Sequence, residues 1–436
     1  MKRIIGRIFV IAVTAIALVS GCKCNGIDPD DLSYDKVLIL YSAGFNSLSS
    51  YLSEDIKDLQ KGYVPGERDK NALIVVSHLP QTRGDYITET NVQLIRLISS
   101  KKTGVIMDTV ATYPSSVNLA NPADFRQILT DIKDKFKSDH YGMIFSSHAS
   151  GWLPAGYYSN ADYFEPNFSG GARRAPAHVN LPHGAVPYVE LEEFPGAPAV
   201  KSIGMSNSRA GGEKISYEIE LPDLAASIPM HLDYFILDAC LSGGIEVAYQ
   251  MKDVCDVIAF SQAEVLAEGL VYENVSAHLL ADSPDVVSVA RDYFEHYASQ
   301  SDVSDRSATI SVVDCRKLDE IATVCKSLFS EYRSRISSVD PSRVQCYYRS
   351  DHHWFYDLED ILVKAGISAS EQSRLETALD HCILYKAASD AFLEYFGGFK
   401  IDAFSGFSMY LPANGTAYLN NYYKTLEWNK ATELVD

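Results

Sequence analysis

Residues 232–249 read LDYFILDACLSGGIEVAY. A mostly apolar run enters Asp238-Ala239-Cys240, Gly243 and Gly244 follow, and a helix-like stretch comes after them. An apolar run bounded by turn residues fits a strand buried on both faces, as in a parallel sheet covered by helices. Ligands of open α/β sheets bind beyond the carboxyl ends of strands, and Cys240 stands at such an end. The glycines give a tight turn with accessible backbone N–H groups, which suits an oxyanion site.

The same pattern recurs on either side. KVLILYSA (36–43), NALIVVSHL (71–79), YGMIFSSHASGW (141–152), DVIAFSQAE (256–264) and SATISVVD (307–314) read as strands. NSLSSYLSEDIKDLQKG (46–62) and SPDVVSVARDYFEHYAS (283–299) read as helices, and a further helix is expected around 89–99, before a short strand at 105–107. NPADFRQILTDIKDKF (121–136) has Asn121 as N-cap, Pro122 in the first turn and Phe125, Ile128, Leu129, Ile132 and Phe136 on one stripe. Alternating strands and helices predict an α/β fold, a mostly parallel sheet with helices on both faces. From Cys315 the chain reads as a mainly helical C-terminal subdomain (315–436), with a hairpin expected in GFKIDAFSGFSMYLP and a last helix near 417–433. Residues 153–214 are rich in Gly, Pro and Ala without a sustained period, and are expected to form a flap. The core is then about 36–314.

A second strand end carries His148. A thiol needs a base or cationic neighbour to become a good nucleophile at neutral pH. A histidine on an adjacent strand supplies one, and then protonates the leaving amine. Composition alone leaves a structural cysteine as the default, because the chain holds 11 histidines and eight cysteines.

The wording around both residues adds to this. YGMIFSSHASGW and FILDACLSGGIEVAY resemble the paired motifs of the clostripain family of cysteine peptidases, and the likeness extends over about residues 36 to 415. The resemblance implies a caspase-like fold and hydrolysis of peptide bonds after Arg or Lys. Carried over by position, Cys240 is the nucleophile and His148 the general acid/base. The N–H groups of Cys240 and Ala149 form the oxyanion hole, and Asp238 binds the basic side chain. The family usually has glycine after the histidine. Ala149 keeps the N–H but is strained if the position needs a positive φ, and Ser147 replaces an acid often found before the histidine. Ser261, which ends the next strand, and Glu264 are further substrate-binding candidates.

Relatives are often activated by a cut between the two catalytic residues. The flap offers Arg173 and Arg174 in SGGARRAPAH, then Lys201, Arg209 and Lys214. Arg173 ranks first as a self-cleavage site, with Arg209 close behind and Arg174 slowed by Pro176.

The N-terminus, MKRIIGRIFVIAVTAIALVSGC, has a basic start and an apolar run from Ile8 to Val19, a secretory signal layout over 1–21. LVSGC resembles a bacterial lipobox, which implies lipidation of Cys22, a tether over 22–35 and anchoring in the cell envelope, at the outer membrane or cell surface. A formal net charge of −19 excludes nucleic-acid binding through bulk charge. Asp351-His352-His353-Trp354 lacks partner ligands at helical spacing, so no metal is assigned. No cofactor is expected; no EF-hand loop occurs, and the sequence leaves calcium open. Two other readings stand beside the lipid-anchored endopeptidase. One is a binding or scaffold protein on the same fold, weakened by Ala149; the other is a surface lipoprotein that captures a ligand through the flap.

Overall fold

Nine strands form one sheet: β1 (Lys36–Ser42), β2 (Asn71–Ser77), β3 (Val92–Ser100), β4 (Gly104–Tyr113), β5 (Tyr141–Ser146), β6 (Leu232–Asp238), β7 (Cys255–Phe260), β8 (Thr309–Asp314) and β9 (Ile383–Ala388). Their order is β9-β8-β7-β6-β5-β1-β2-β3-β4. The five central strands, β7-β6-β5-β1-β2, run parallel, and two antiparallel strands flank them on each side. Nearly every residue of β1, β2, β5 and β6 is buried, so both faces of the sheet centre are covered. The structure is a computed structural model that describes residues 33–436 except 45, 84–85, 89, 160, 166–183, 188–196, 202–205, 211–212 and 350–352. Ser33–Asp436 is one compact unit.

Helix α1 (Ser49–Lys61) follows β1, and α2 (Pro122–Lys135) precedes β5. The Asn121 side chain caps α2 by accepting from the N–H groups of Ala123 and Asp124, and Phe125, Ile128, Leu129 and Ile132 are buried, as the stripe predicts. The helix expected around 89–99 is instead β3. A register shift between Leu94 and Ile95 turns both inward, so Val92, Leu94, Ile95 and Leu97 are all buried. Such a bulge replaces alternation with a spacing that imitates a helix.

Beyond Cys315 come α3 (Leu318–Ile336), α4 (Leu358–Ala365) and α5 (Ala369–Cys382), the last opened by a Ser368–Glu371 capping box. At Ile383 the chain turns extended and supplies the edge strand β9 to the main sheet. The expected hairpin does not form within residues 398–412. Phe399–Lys400 pairs with Ala391–Phe392, and Ser408–Met409 pairs with Tyr356–Asp357. Within and just beyond the segment read as a flap, strands Ala185–Pro187, Ser206–Ala210 and Glu213–Tyr217 make a small antiparallel sheet.

Candidate active site

β5 and β6 are adjacent and parallel, with Asp238 opposite Ser146 at the end of the register. His148 and Cys240 each lie two residues past that pair, on neighbouring loops at the carboxyl edge of the sheet. The loops interlock. Gly151 has φ +63°, and a Cβ there would stand 2.4 Å from the Leu241 carbonyl oxygen, so only glycine fits. Leu241, just after the cysteine, holds φ +57° although it carries a side chain. That conformation costs about 1–2 kcal/mol and is the kind of strain found at functional turns. Ala149 does not share it; its φ is not positive, so the methyl group after the histidine is accommodated. Trp152 is buried edge-on against Tyr410 and Tyr423 beneath the histidine loop.

Both reactive side chains are covered. The Val265 N–H donates to the Cys240 sulfur at 3.0 Å, and the thiol faces the Val265 carbonyl at 3.7 Å. His148 Nε2 lies 3.1 Å from the Ser47 hydroxyl. Burial drives the imidazole pKa from its ordinary 6.5 down to about 4; the Lys201 backbone opposes this and the Lys201 charge assists it. The ring is therefore neutral at neutral pH and able to take the thiol proton.

Asp238 points into a pocket already holding an ammonium group. Its Oδ2 accepts from Lys201 Nζ, from the Ser146 hydroxyl at 2.9 Å and from the Tyr272 hydroxyl at 2.7 Å. Lys201 Nζ also donates to Ser146 Oγ at 3.0 Å and lies 3.8 Å from Asp55 Oδ2 on α1. Both Lys201 and Asp238 are buried. Burial pushes the Asp55 carboxyl pKa well up, the Lys201 ammonium pulls it down, and Asp238 pushes it up again. Gly269, with φ +66°, forms the pocket wall. A Cβ there would meet Asp238 Oδ2 and Lys201 Nζ, each at 2.6 Å.

A family profile, described as the clostripain family, matches residues 40–163 and 212–435. This chain belongs to the clostripain family of cysteine peptidases. The inactive zymogen of a C11 protease from Parabacteroides distasonis superposes with a TM-score of 0.70 at 24% identity, over 92% of this chain and 98% of that one. A secreted C11 cysteine protease from Bacteroides thetaiotaomicron, in complex with an irreversible peptide inhibitor, gives 0.68 at 22% identity, over 92% and 99%. At these identities the likeness establishes the shared fold, an α/β architecture with a helical C-terminal region. No curated protein matches the sequence.

In this clostripain-family chain the other expected residues lie as follows. Ser261 is buried, bonded to the Ala263 carbonyl at 3.1 Å and the Thr309 hydroxyl at 2.8 Å, which braces the turn. Glu264 accepts two bonds from Arg349, at 2.7 and 2.9 Å. Arg209 lies in the strand Ser206–Ala210, its backbone paired opposite Lys214. Cys22, Arg173 and Arg174 lie outside the described residues, as do Asp351 and His352. Among the described residues no cluster of His, Cys, Asp or Glu has the arrangement of a metal site, and no helix is long and apolar enough to cross a membrane. Sequence reasoning did not reach Asp55, Ser146, Tyr272 or Gly269 as pocket residues. Nothing in their local wording marks them, because they converge from four separate segments. Lys201 carried a signal, as a basic residue in the segment between the two motifs.

Proposed function

We propose that this chain is a secreted, lipid-anchored endopeptidase that cuts on the carboxyl side of lysine or arginine, with Cys240 as nucleophile and His148 as general base and then acid. One observation carries the reading: a buried carboxylate, Asp238, holds a lysine ammonium at the ends of the two strands that lead into the dyad loops. A basic side chain in that pocket sets its own carbonyl near the thiol. Neutral His148 takes the thiol proton as sulfur attacks, and returns it to the departing amine. The N–H groups of Ala149 and Cys240 are the proposed oxyanion donors. The resulting thioester is hydrolysed by water. The chain processes itself in the segment between His148 and Cys240, with Arg173, Arg174 and Arg209 among the basic residues there. Cys22 carries the lipid, an assignment supported by the lipobox-like LVSGC; a diacylated, N-acylated cysteine has chains enough for stable anchoring.

The test is hydrolysis of fluorogenic peptides that differ only in having Lys, Arg, Asp or Leu before the cut. Hydrolysis confined to Lys and Arg, lost in Cys240→Ala and stripped of its basic preference in Asp238→Asn, is the expected result. Hydrolysis that persists in Cys240→Ala rejects the nucleophile, and an unchanged Lys-to-Leu ratio in Asp238→Asn rejects the pocket acid.

A further inference from the structure

Three neighbouring strands end at the dyad. β6 leads to Cys240, β5 leads to His148, and β1, on the far side of β5, leads to Asn46-Ser47-Leu48. The exit of β1 is tied to the histidine loop. The Ala43 N–H donates to the Ser146 carbonyl at 3.1 Å, and the Ala43 carbonyl accepts from the Ser147 hydroxyl at 3.1 Å and from Asn46 Nδ2 at 2.9 Å. Asn46 Oδ1 accepts from the Leu48 N–H at 2.9 Å, and Leu48 is buried with Leu52 and Ala267. Ser47 is the exposed residue between these two fixed neighbours, and its Oγ lies 3.1 Å from Nε2 of the buried His148 ring. The other ring nitrogen, Nδ1, is buried. The Lys201 backbone approaches the ring but completes no hydrogen bond to Nδ1.

We infer that Ser47 is a positioning residue: it holds the resting proton of His148 on Nε2 and leaves Nδ1 as the nitrogen that exchanges a proton with Cys240. This rests on the peptidase reading above and deepens it. A neutral imidazole carries one N–H and one lone pair, and the partner of one nitrogen decides the role of the other. A proton on Nε2 finds an acceptor in Ser47 Oγ, whose own hydrogen is free to point to solvent. A proton on Nδ1 would be a buried donor without an acceptor, which is costly. Bare Nδ1 then takes the thiol proton as sulfur attacks, and gives it to the departing amine as the peptide bond breaks. Nε2 keeps its proton throughout, so the ring returns to its starting tautomer. While the ring is positively charged, Ser47 Oγ accepts from a charged donor, and such bonds are stronger than neutral ones. The contact therefore tightens as the reaction proceeds and acts on kcat rather than on binding. Ser147, standing where an acid is often found, is engaged with the Ala43 carbonyl, and Ser47 is the hydroxyl against the ring.

The experiment has two arms. In the first, wild type, Ser47→Ala and Ser47→Thr hydrolyse a fluorogenic lysine peptide, with kcat counted per processed chain. Ser47→Ala should lower kcat about tenfold, the scale of one hydrogen bond, with KM changed by less than about twofold. Ser47→Thr, which restores the hydroxyl, should regain most of the rate. In the second arm the tautomer is read by NMR at neutral pH in Cys240→Ala carrying nitrogen-15-labelled histidine. The His148 signals are assigned by their loss on adding His148→Gln. Nε2 should be protonated and Nδ1 bare, and adding Ser47→Ala should mix the two forms. A proton resting on Nδ1 in Cys240→Ala overturns the inference, as does Ser47→Ala working at the wild-type kcat. A loss carried by KM marks a substrate contact and overturns it too, and so does Ser47→Thr as slow as Ser47→Ala. Hydrolysis that persists in Cys240→Ala overturns the peptidase reading instead, while the nitrogen spectra still decide whether Ser47 sets the tautomer.

Discussion

Replacing Gly269 by alanine should narrow the basic pocket without touching the dyad. The added Cβ would stand 2.6 Å from the bound ammonium and 2.6 and 2.8 Å from the two Asp238 oxygens. Ordinary contact needs about 3.5–4.0 Å, so the ammonium must withdraw by roughly 1 Å from its carboxylate. Hydrogen bonds to charged groups contribute about 1.5–3 kcal/mol each. Weakening one of them lowers kcat/KM for a lysine peptide by about 10- to 100-fold. The φ of +66° adds a stability cost of about 1–2 kcal/mol for any residue with a Cβ. The assay compares kcat/KM for lysine and leucine peptides in processed Gly269→Ala, with alkylation of Cys240 by iodoacetamide as the control for an intact dyad. Selective loss of the lysine reaction is expected. Undiminished lysine hydrolysis would refute the pocket assignment.

Three further outcomes follow from the same geometry. Burial raises the Glu246 pKa from 4.5 to about 7; its folded form favours the proton, so this contribution is present below pH 4.5 and lost as pH rises through 7. Glu246→Gln should therefore add up to about 3 kcal/mol at pH 8 and little below pH 5, read from urea midpoints; equal midpoints at pH 8 contradict it. For His148 the sign is opposite: a pKa lowered to about 4 favours the neutral ring, so stability falls by up to about 3 kcal/mol as pH drops from 6.5 through 4, and in uncut Cys240→Ala the added change His148→Gln should flatten that limb. A slope that does not change counts against it. Cys22→Ser should abolish lipid attachment, seen by intact mass and detergent partitioning; lipid mass retained in the variant rejects the anchor.

The parallel sheet centre was legible because each of its strands is a short apolar run, the mark of burial on both faces. α2 was legible through Asn121, Pro122 and one clean stripe. β3 was not, since the bulge at Leu94/Ile95 hides its alternation. Residues 398–412 look like a hairpin locally, yet each strand finds its partner elsewhere, in Ala391–Phe392 and Tyr356–Asp357; local wording carries no record of that choice. At the site, Cys240, His148 and Asp238 stood out because the strand ends and their loops are contiguous in sequence. Asp55 and Tyr272 meet Asp238 only after helices fold against the sheet. Ser261 and Glu264 were read as part of the strand, but they lie past β7, where the hydroxyl reaches Thr309 and the carboxylate reaches Arg349.

The most direct test is covalent. Processed protein is treated with a peptide ending in lysine and carrying a thiol-reactive ketone, then digested and mapped by mass spectrometry. One adduct per chain, on Cys240, blocked by free lysine peptide and weakened in Asp238→Asn, is the predicted result. An adduct on Cys255, Cys315, Cys325, Cys346 or Cys382 instead, or full peptide hydrolysis by Cys240→Ala, would contradict it.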